Sequence, residues 1–304
     1  MGGTIINKLL NRCLDNPTYF RYSFIFLLTL SVILNSFFHE GDSHLYILYI
    51  FSVIFLGIGF YKKSAWFLIL FTLIVVMCRY FLIRDSSPSI SIFLIHLFTY
   101  LLITFIATGL MKYVHKVKDD ELELTTVLAN ALDSRDSYTL NHSENVAKYS
   151  VQIAEKLKLS KECCAISRKG ALLHDVGKTG ISEHILMKNG TLTNEEYEEI
   201  KIHPTIRYNM IKHVADFHKN VILDMVLYHH ERYDGKGYPA GLKGNQIPLY
   251  ARIAAVADTF DAMTTKRVYR EELSLDYTLN EIQKNKGTQF DPEIVDTFLS
   301  LFER

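Results

Sequence analysis

The stretch Ala171-Leu-Leu-His174-Asp175-Val-Gly-Lys178 sets a histidine beside a carboxylate within an apolar, helix-prone run. Side chains of neighbouring helical residues point about 100° apart, so this doublet can grip one ion from two sides or reach towards two. Taken alone it reads as a surface His–Asp pair at a helix end. Its weight comes from its surroundings.

Around it, the sequence from about residue 130 to the end reads as all-helical. Strand-like alternation is scarce and helix punctuation is frequent: Thr193-Asn-Glu-Glu196 has the form of a capping box, and Pro204, Pro248 and Pro292 stand at first-turn positions. Gly235, Gly237, Gly241 and Gly244 mark one long ordered loop. The part of it spelling Tyr233-Asp-Gly-Lys-Gly-Tyr-Pro239 reads either as a lid or as a rigid connector.

Ligand-type side chains recur along these helices. His142 stands at a helix start, His203 directly precedes Pro204, His229-His230 closes a helix, and Asp258 and Asp261 lie one turn apart in Ala254-Ala-Val-Ala-Asp258-Thr-Phe-Asp261. Ile222, Met225 and Val226 form the apolar stripe of the helix before the His pair, and the pair continues that stripe, so both rings turn inwards. Buried imidazoles and carboxylates need partners. A lone His is usually a satisfied core histidine and a lone Asp usually a cap, but separate elements each delivering inward His or Asp argue for a shared purpose.

Imidazole and carboxylate without thiolate exclude the structural zinc pattern and suit iron, manganese, nickel or zinc. His142, His174, Asp175, His203, His229, His230 and Asp258 are more ligands than one ion wants. Two ions fit, with Asp175, having two oxygens, as the bridge. Paired divalent ions activate water at neutral pH and stabilise both oxygens of an in-line displacement at phosphorus. Lys178, between Gly177 and Gly180, can neutralise phosphate charge, and Arg267 and Arg270 flank Tyr269 as two forks and a ring; the plainer reading of that arginine pair is a solvated helix end.

Ahead of this region, residues 113–133 form a charged, Leu-containing segment. Val117, Leu124, Leu128 and Ala131 approximate a heptad seam that Glu121 interrupts. It is either a dimer-forming signalling helix or the first helix of the soluble domain packed on its core.

Further back come four apolar runs, about 22–38, 45–61, 65–83 and 90–111, each near the roughly 20 residues that cross a bilayer. No small-residue cleavage site follows the first, which reads as a retained span. Lys8, Arg12 and Arg21, then Lys62 and Lys63, then Lys112, Lys116 and Lys118 fall on alternate sides, which places both termini in the cytoplasm. Arg79, and Arg84 beside Asp85, are the outer-side exceptions. His96 is the ionisable residue near mid-membrane, and a neutral His bonded to a neighbouring helix describes it best. Nothing marks an ion pathway.

The chain has 304 residues, 49% of them hydrophobic, and a net charge of zero. Zero net charge argues against binding polymeric nucleic acid through bulk charge. Cys13, Cys78, Cys163 and Cys164 offer neither zinc-ribbon spacing nor a disulfide framework, as in a reduced compartment.

In order, His174-Asp175-Val-Gly-Lys178, His203-Pro204, His229-His230-Glu231, Gly237-Tyr238-Pro239, Ala257-Asp258-Thr-Phe-Asp261-Ala and Gly287-Thr-Gln-Phe-Asp-Pro292 resemble the HD-GYP family, a branch of the metal-dependent HD phosphohydrolases whose members hydrolyse cyclic di-GMP. The resemblance covers about residues 122–304. It implies an all-α metallohydrolase domain over 134–304, while the apolar runs make residues 1–112 a four-helix membrane region joined to it by the connecting helix (113–133), in a multi-pass protein of a bacterial inner membrane. It implies that His142, His174, Asp175, His203, His229, His230 and Asp258 hold two divalent ions, iron or manganese ahead of zinc or nickel. Catalysis falls to Asp175 and Lys178, and substrate contact to Lys178, Asp261, Arg267 and Arg270. The product is linear pGpG, or GMP where the second phosphodiester is cut as well, and the expected partners are a cyclic dinucleotide, the lipid bilayer and a second copy through the 113–133 helix. Another nucleotide substrate, or a non-catalytic module of the same fold, are the alternatives. Some members hold a third metal with a Glu where this chain has Tyr138, and many have Gly where Arg207 stands, so two ions are expected and the local packing at 207 differs.

Overall fold

A computed structural model describes residues 14, 16–37, 46–82, 89–134, 141–188, 190–211, 221–265 and 272–303, without the side chains of 207 and 211. Tyr138, Arg267 and Arg270, the basic residues Lys8 and Arg12, and the Arg84–Asp85 pair lie outside the described residues. Among the described residues the regular structure is helical, with one isolated bridge between Lys286 and Phe290 and no strand. The chain divides into two compact units, Met1–Asp120 and Glu121–Arg304.

The first unit contains α1 (Thr18–Phe37), α2 (Tyr46–Gly59), α3 (Ala65–Leu82) and the start of α4 (Ile90–Asp133). Three of them, α1, α3 and α4, are long and apolar enough to cross a membrane; α2 is apolar but has 14 residues, short of the roughly 20 a span needs. Of the four expected spans, three therefore reach spanning length among the described residues. Phe24, Tyr49, Val53, Leu56, Leu68, Val75, Val76 and Tyr100 form the core, while Trp66, Phe81, Phe98 and Phe26 face outwards. A side chain at Gly57 would strike α4 at Thr104, Ala107 and Thr108, and Thr108 donates to the Gly57 carbonyl at 3.2 Å. This close approach of backbones through small residues suits helices packed in lipid.

The second unit begins with the last turns of α4. Thr125, Ala129 and Asp133 are buried, and Ala129 and Leu122 pack against Val146 and Ala147; Val117, Leu124, Leu128 and Ala131, the heptad-like seam, stay exposed. The segment thus packs on the soluble core with one face and leaves the other open. Then follow α5 (His142–Lys156), α6 (Lys161–Leu173), a 3₁₀ turn (Val176–Gly180), α7 (Glu183–Leu186), α8 (Asn194–Ile200), α9 (His203–Ile211), α10 (Val221–Tyr228), a 3₁₀ turn (Gly244–Gln246), α11 (Leu249–Thr264), α12 (Leu275–Lys284) and α13 (Pro292–Leu299). The Thr193–Glu196 capping box forms at the start of α8. Pro292 opens α13 behind the Asp291 cap.

Alanines at 251, 254 and 257 let α11 run through the middle of this unit. One side of α11 meets α5 and α13 through Ile153, Ile253, Val256, Phe260 and Phe298, and the other meets α6 and α10 through Ala254, Ala257, Leu172 and Met225. These close contacts bring the ends of α6 and α10, the start of α5 and the middle of α11 to one place.

Candidate metal centre

Each expected ligand reaches the centre by a local device. Ser160 caps α6 by accepting the Cys163 N–H, the helix runs to Leu173, and His174 forms its C-cap. Asp175 follows at φ −101°, ψ 0°, so the doublet sits at the helix terminus and not inside it. The 3₁₀ turn behind it folds Lys178 back, with Nζ 2.6 Å from Asp175 Oδ2. His203 starts α9, and His229 and His230 follow the end of α10 with the His229 ring buried.

The side chains converge in two sets, Asp175, His203, His229 and His230 in one and His142, His174 and Asp258 in the other, with the ligand atoms of each set within 4.8 Å of one another. Asp175 connects the sets: its Oδ2 lies 3.4 Å from His174 Nε2 and 3.8 Å from His142 Nε2, and its Oδ1 lies 3.4 Å from His203 Nε2. Asp258 Oδ1 is 3.3 Å from His142 Nε2.

The far nitrogens explain the orientation. Nδ1 of His174, His203 and His229 lies 2.7–2.8 Å from the carbonyls of Ala171, Ile200 and Val226, three residues back in each case. Only an N–H can satisfy a carbonyl, so Nδ1 carries the proton and Nε2 is left as a bare donor to the interior. His174 Nε2 is buried without a hydrogen-bond partner. Buried nitrogen lone pairs facing two carboxylates fit divalent cations well, and the absence of thiolate fits ions that accept N and O together.

Electrostatics divide the histidines. Burial pushes His230 down to about 4, and also lowers His203 and His229, so these stay neutral. Burial opposes protonation of His142 too, but Asp258 and Asp261 outweigh it and raise it to about 10. For Asp175, the Lys178 ammonium and the neighbouring histidines overcome burial and hold the carboxyl well below its usual range.

Asp261 departs from its expected place against substrate. It is 2% exposed, and its Oδ2 lies 2.6 Å from His142 Nδ1, behind the ligand. Sequence reading saw that Asp258 and Asp261 share a helix face, which is the signal for this arrangement, but not that His142 separates their roles. The Glu231 role also escaped it: this 3% exposed carboxylate accepts the N–H groups of Ala240, Gly241 and Leu242 at 2.7–3.0 Å. Gly237 passes so close to the backbone of residues 230–232 that a Cβ would strike it. Tyr238 is thereby laid on His230, ring centroids 4.8 Å apart, with Lys201 over its outer face. Tyr233 and Asp234 bond the carbonyls of Gln289 and Thr288. The loop is therefore a tied connector that roofs the centre. Beside it opens a cavity of about 340 Å³ lined by His229, His230, Asp258, Tyr197, Lys236 and Gln289, among others.

A family model described as an HD domain matches residues 126–294. The chain is 40% identical over 190 residues to the cyclic di-GMP phosphodiesterase response regulator RpfG of Xanthomonas campestris pv. campestris, covering 62% of this chain and 50% of that protein. It is 39% identical over 184 residues to a cyclic di-GMP phosphodiesterase of Thermotoga maritima, covering 60% and 50%. It is 36% identical over 170 residues to 3'3'-cGAMP-specific phosphodiesterase 3 of Vibrio cholerae, covering 56% and 36%. The chain thus spans half or less of the length of these relatives.

Proposed function

Because the chain belongs to the HD domain family, we propose that it is a membrane-anchored phosphodiesterase that hydrolyses cyclic di-GMP to linear pGpG and on to GMP at a centre of two divalent ions. The observation that carries this reading is Asp175, whose two oxygens face different sets of imidazole Nε2 atoms, with His174 Nε2 buried and without a hydrogen-bond partner. His142, His174 and Asp258 would hold one ion, His203, His229 and His230 the other, and Asp175 both. Bound there, iron or manganese supplies Lewis acidity to the phosphoryl group and turns water into a nucleophile at neutral pH.

The chain's own groups do the rest. Lys178, its side chain 27% exposed beside Asp175, is placed to donate to a phosphoryl oxygen as charge builds on it. Carbonyls behind His174, His203 and His229, and Asp261 behind His142, fix the rings so that they need no reorientation. The Tyr238 roof excludes water from one side and offers an aromatic face beside the cavity. Arg267 and Arg270 are assigned to substrate phosphate by their sequence position alone.

The apolar unit would anchor the enzyme in a bacterial inner membrane through four spans with cytoplasmic termini, three of which reach spanning length among the described residues. The exposed seam of Val117, Leu124 and Leu128 is the face a homodimer would use. A second substrate reading, 3'3'-cGAMP, has its own support in relatives named for that activity.

The test is turnover of the full chain in nanodiscs, loaded anaerobically with Fe²⁺ or with Mn²⁺, against both cyclic dinucleotides. Asp175→Ala is expected to remove metal and turnover together, by well over the ~10–100-fold that even a ligand's outer partner is worth. Lys178→Ala should keep its metal and lose roughly 100-fold in turnover, the scale of one transition-state donor. Full activity in both variants would reject the site. Preference for 3'3'-cGAMP would replace the substrate.

A further inference from the structure

The helix that delivers His142 does not cap itself. Asn141 stands at its N-cap with φ 65°, in the left-handed region, and its side chain makes no capping bond. The first-turn N–H groups of a helix need an acceptor, and here it comes from the preceding helix. Asp133, the last residue of α4, is 5% exposed. Its Oδ2 accepts the Ser143 N–H at 2.9 Å and its Oδ1 accepts the Ser143 hydroxyl at 2.8 Å. Three residues earlier on α4, Asn130 Nδ2 donates to Glu144 Oε1 at 2.6 Å. Both contacts grip residues directly after His142. The rings of His174, His203 and His229 are set by carbonyls of α6, α8 and α10, and Asp258 stands on α11; α4 reaches α6 further from the ligands, through Glu121 to Lys169.

We infer that Asp133 is a positioning residue for one of the two ion sites: by capping α5 from the end of α4, it sets where His142 stands opposite His174 and Asp258. The inference rests on the dinuclear reading and adds that the two sites depend unequally on α4. Through its two bonds to Ser143, Asp133 acts on the backbone of the α5 first turn. The same helix begins at Ile90 in the apolar run, so the end of a candidate membrane helix controls the occupancy of one ion and not of the other.

The experiment is Mn²⁺ titration of the metal-free full chain in nanodiscs, with bound metal per chain counted by mass spectrometry and the melting temperature recorded alongside. Wild type is expected to take up two ions. Asp133→Ala should keep one step and weaken the other by ~10–100-fold, the scale of an outer partner's loss. Asp133→Asn, whose side-chain oxygen still accepts the Ser143 N–H, should recover most of the weakened step. A purely structural role would instead lower melting and weaken both steps together, and that result overturns the inference, as does unchanged binding in the alanine variant. If that variant does not fold, Asp133→Glu, one methylene longer, should weaken the same single step, and two intact steps in it are equally fatal. Wild type that takes up no metal defeats the dinuclear reading itself, whereas two ions in wild type and two in the variants defeat only the role of Asp133.

Discussion

In the apolar unit, buried polar side chains are hydroxyls that turn back on their own helix: Ser31 donates to Leu27, Ser52 to Leu48, Thr104 to Tyr100 and Thr108 to Thr104, each to the carbonyl four residues earlier. In the unit from Glu121 onwards, the buried polar side chains include, besides hydroxyls such as Thr125 and Ser150, charged and titratable groups that find one another across the chain, as His142 and Asp261 do over 119 positions. The first pattern satisfies most of these groups locally, with Thr108 to Gly57 and Thr72 to Thr104 as bonds between helices, and leaves packing to surface complementarity. The second concentrates desolvated imidazole and carboxylate in one place, where each group depends on the others. Removing a polar group should therefore be felt widely in the second unit and hardly at all in the first.

The sharpest break of that contrast is at Asp261. Asp261→Asn keeps the shape and still accepts a hydrogen bond from His142 Nδ1, but it removes the charge that favours the protonated ring and strengthens His142 as a donor. Outer partners of ligands are worth ~10–100-fold in metal affinity. A loss of that size at one of two Mn²⁺ steps is expected by titration. No loss would mean that the pair is no more interdependent than the back-bonded hydroxyls.

A smaller effect separates the units by pH. In the metal-free protein, burial puts the folded-state pKa of His230 at about 4, and lowers those of His203 and His229, against roughly 6.5 in an unfolded chain. The unfolded chain therefore binds more protons below about pH 6.5, and stability falls as the pH drops from there towards 4. His142 works the other way: raised to about 10, it contributes stability that is complete below about pH 6.5 and is lost as the pH climbs towards 10. Melting of the metal-free second unit, followed in the full chain by hydrogen exchange of α5 and α11, should weaken on both sides of pH 6.5. The hydroxyls of the apolar unit do not titrate, so its helices should show no such maximum. A flat profile for α5 and α11 would erase the difference.

The residues of both patterns were legible to different degrees for a physical reason. Apolar runs and ligand-type residues are properties of single positions: His174-Asp175 next to glycine, His203 before Pro204, and His229-His230 at the end of an apolar stripe announce themselves without any knowledge of contacts. Partners are properties of the fold. That Asp261 would stand behind His142 required the packing of α11 on α5, and that Asp133 would cap α5 required the end of α4 to meet the start of α5. Glu231 sits beside two histidines in sequence, yet its three N–H donors lie 9–11 residues on and are brought back by the glycine loop. The doublet reads as a helix end from sequence, and the helix does end at His174, but its burial depended on the packing around it.

The weakest prediction tests the quiet side of the comparison. Thr72 and Thr104 share a hydrogen bond between α3 and α4, Oγ1 to Oγ1 at 3.1 Å, and both are fully buried. Thr72→Val removes one hydroxyl at nearly constant volume. Thr104 keeps its bond to the Tyr100 carbonyl at 2.9 Å, so no donor is orphaned. Side-chain hydrogen bonds between membrane helices average about 0.6 kcal/mol, so a loss near that value is expected when the full chain is unfolded by denaturant in detergent, with metal binding unchanged. A loss well above ~1.7 kcal/mol, the upper end for such bonds, would show that the apolar unit too depends on a polar pair between helices. The division into locally satisfied and mutually dependent polar groups would then fail where it is easiest to check.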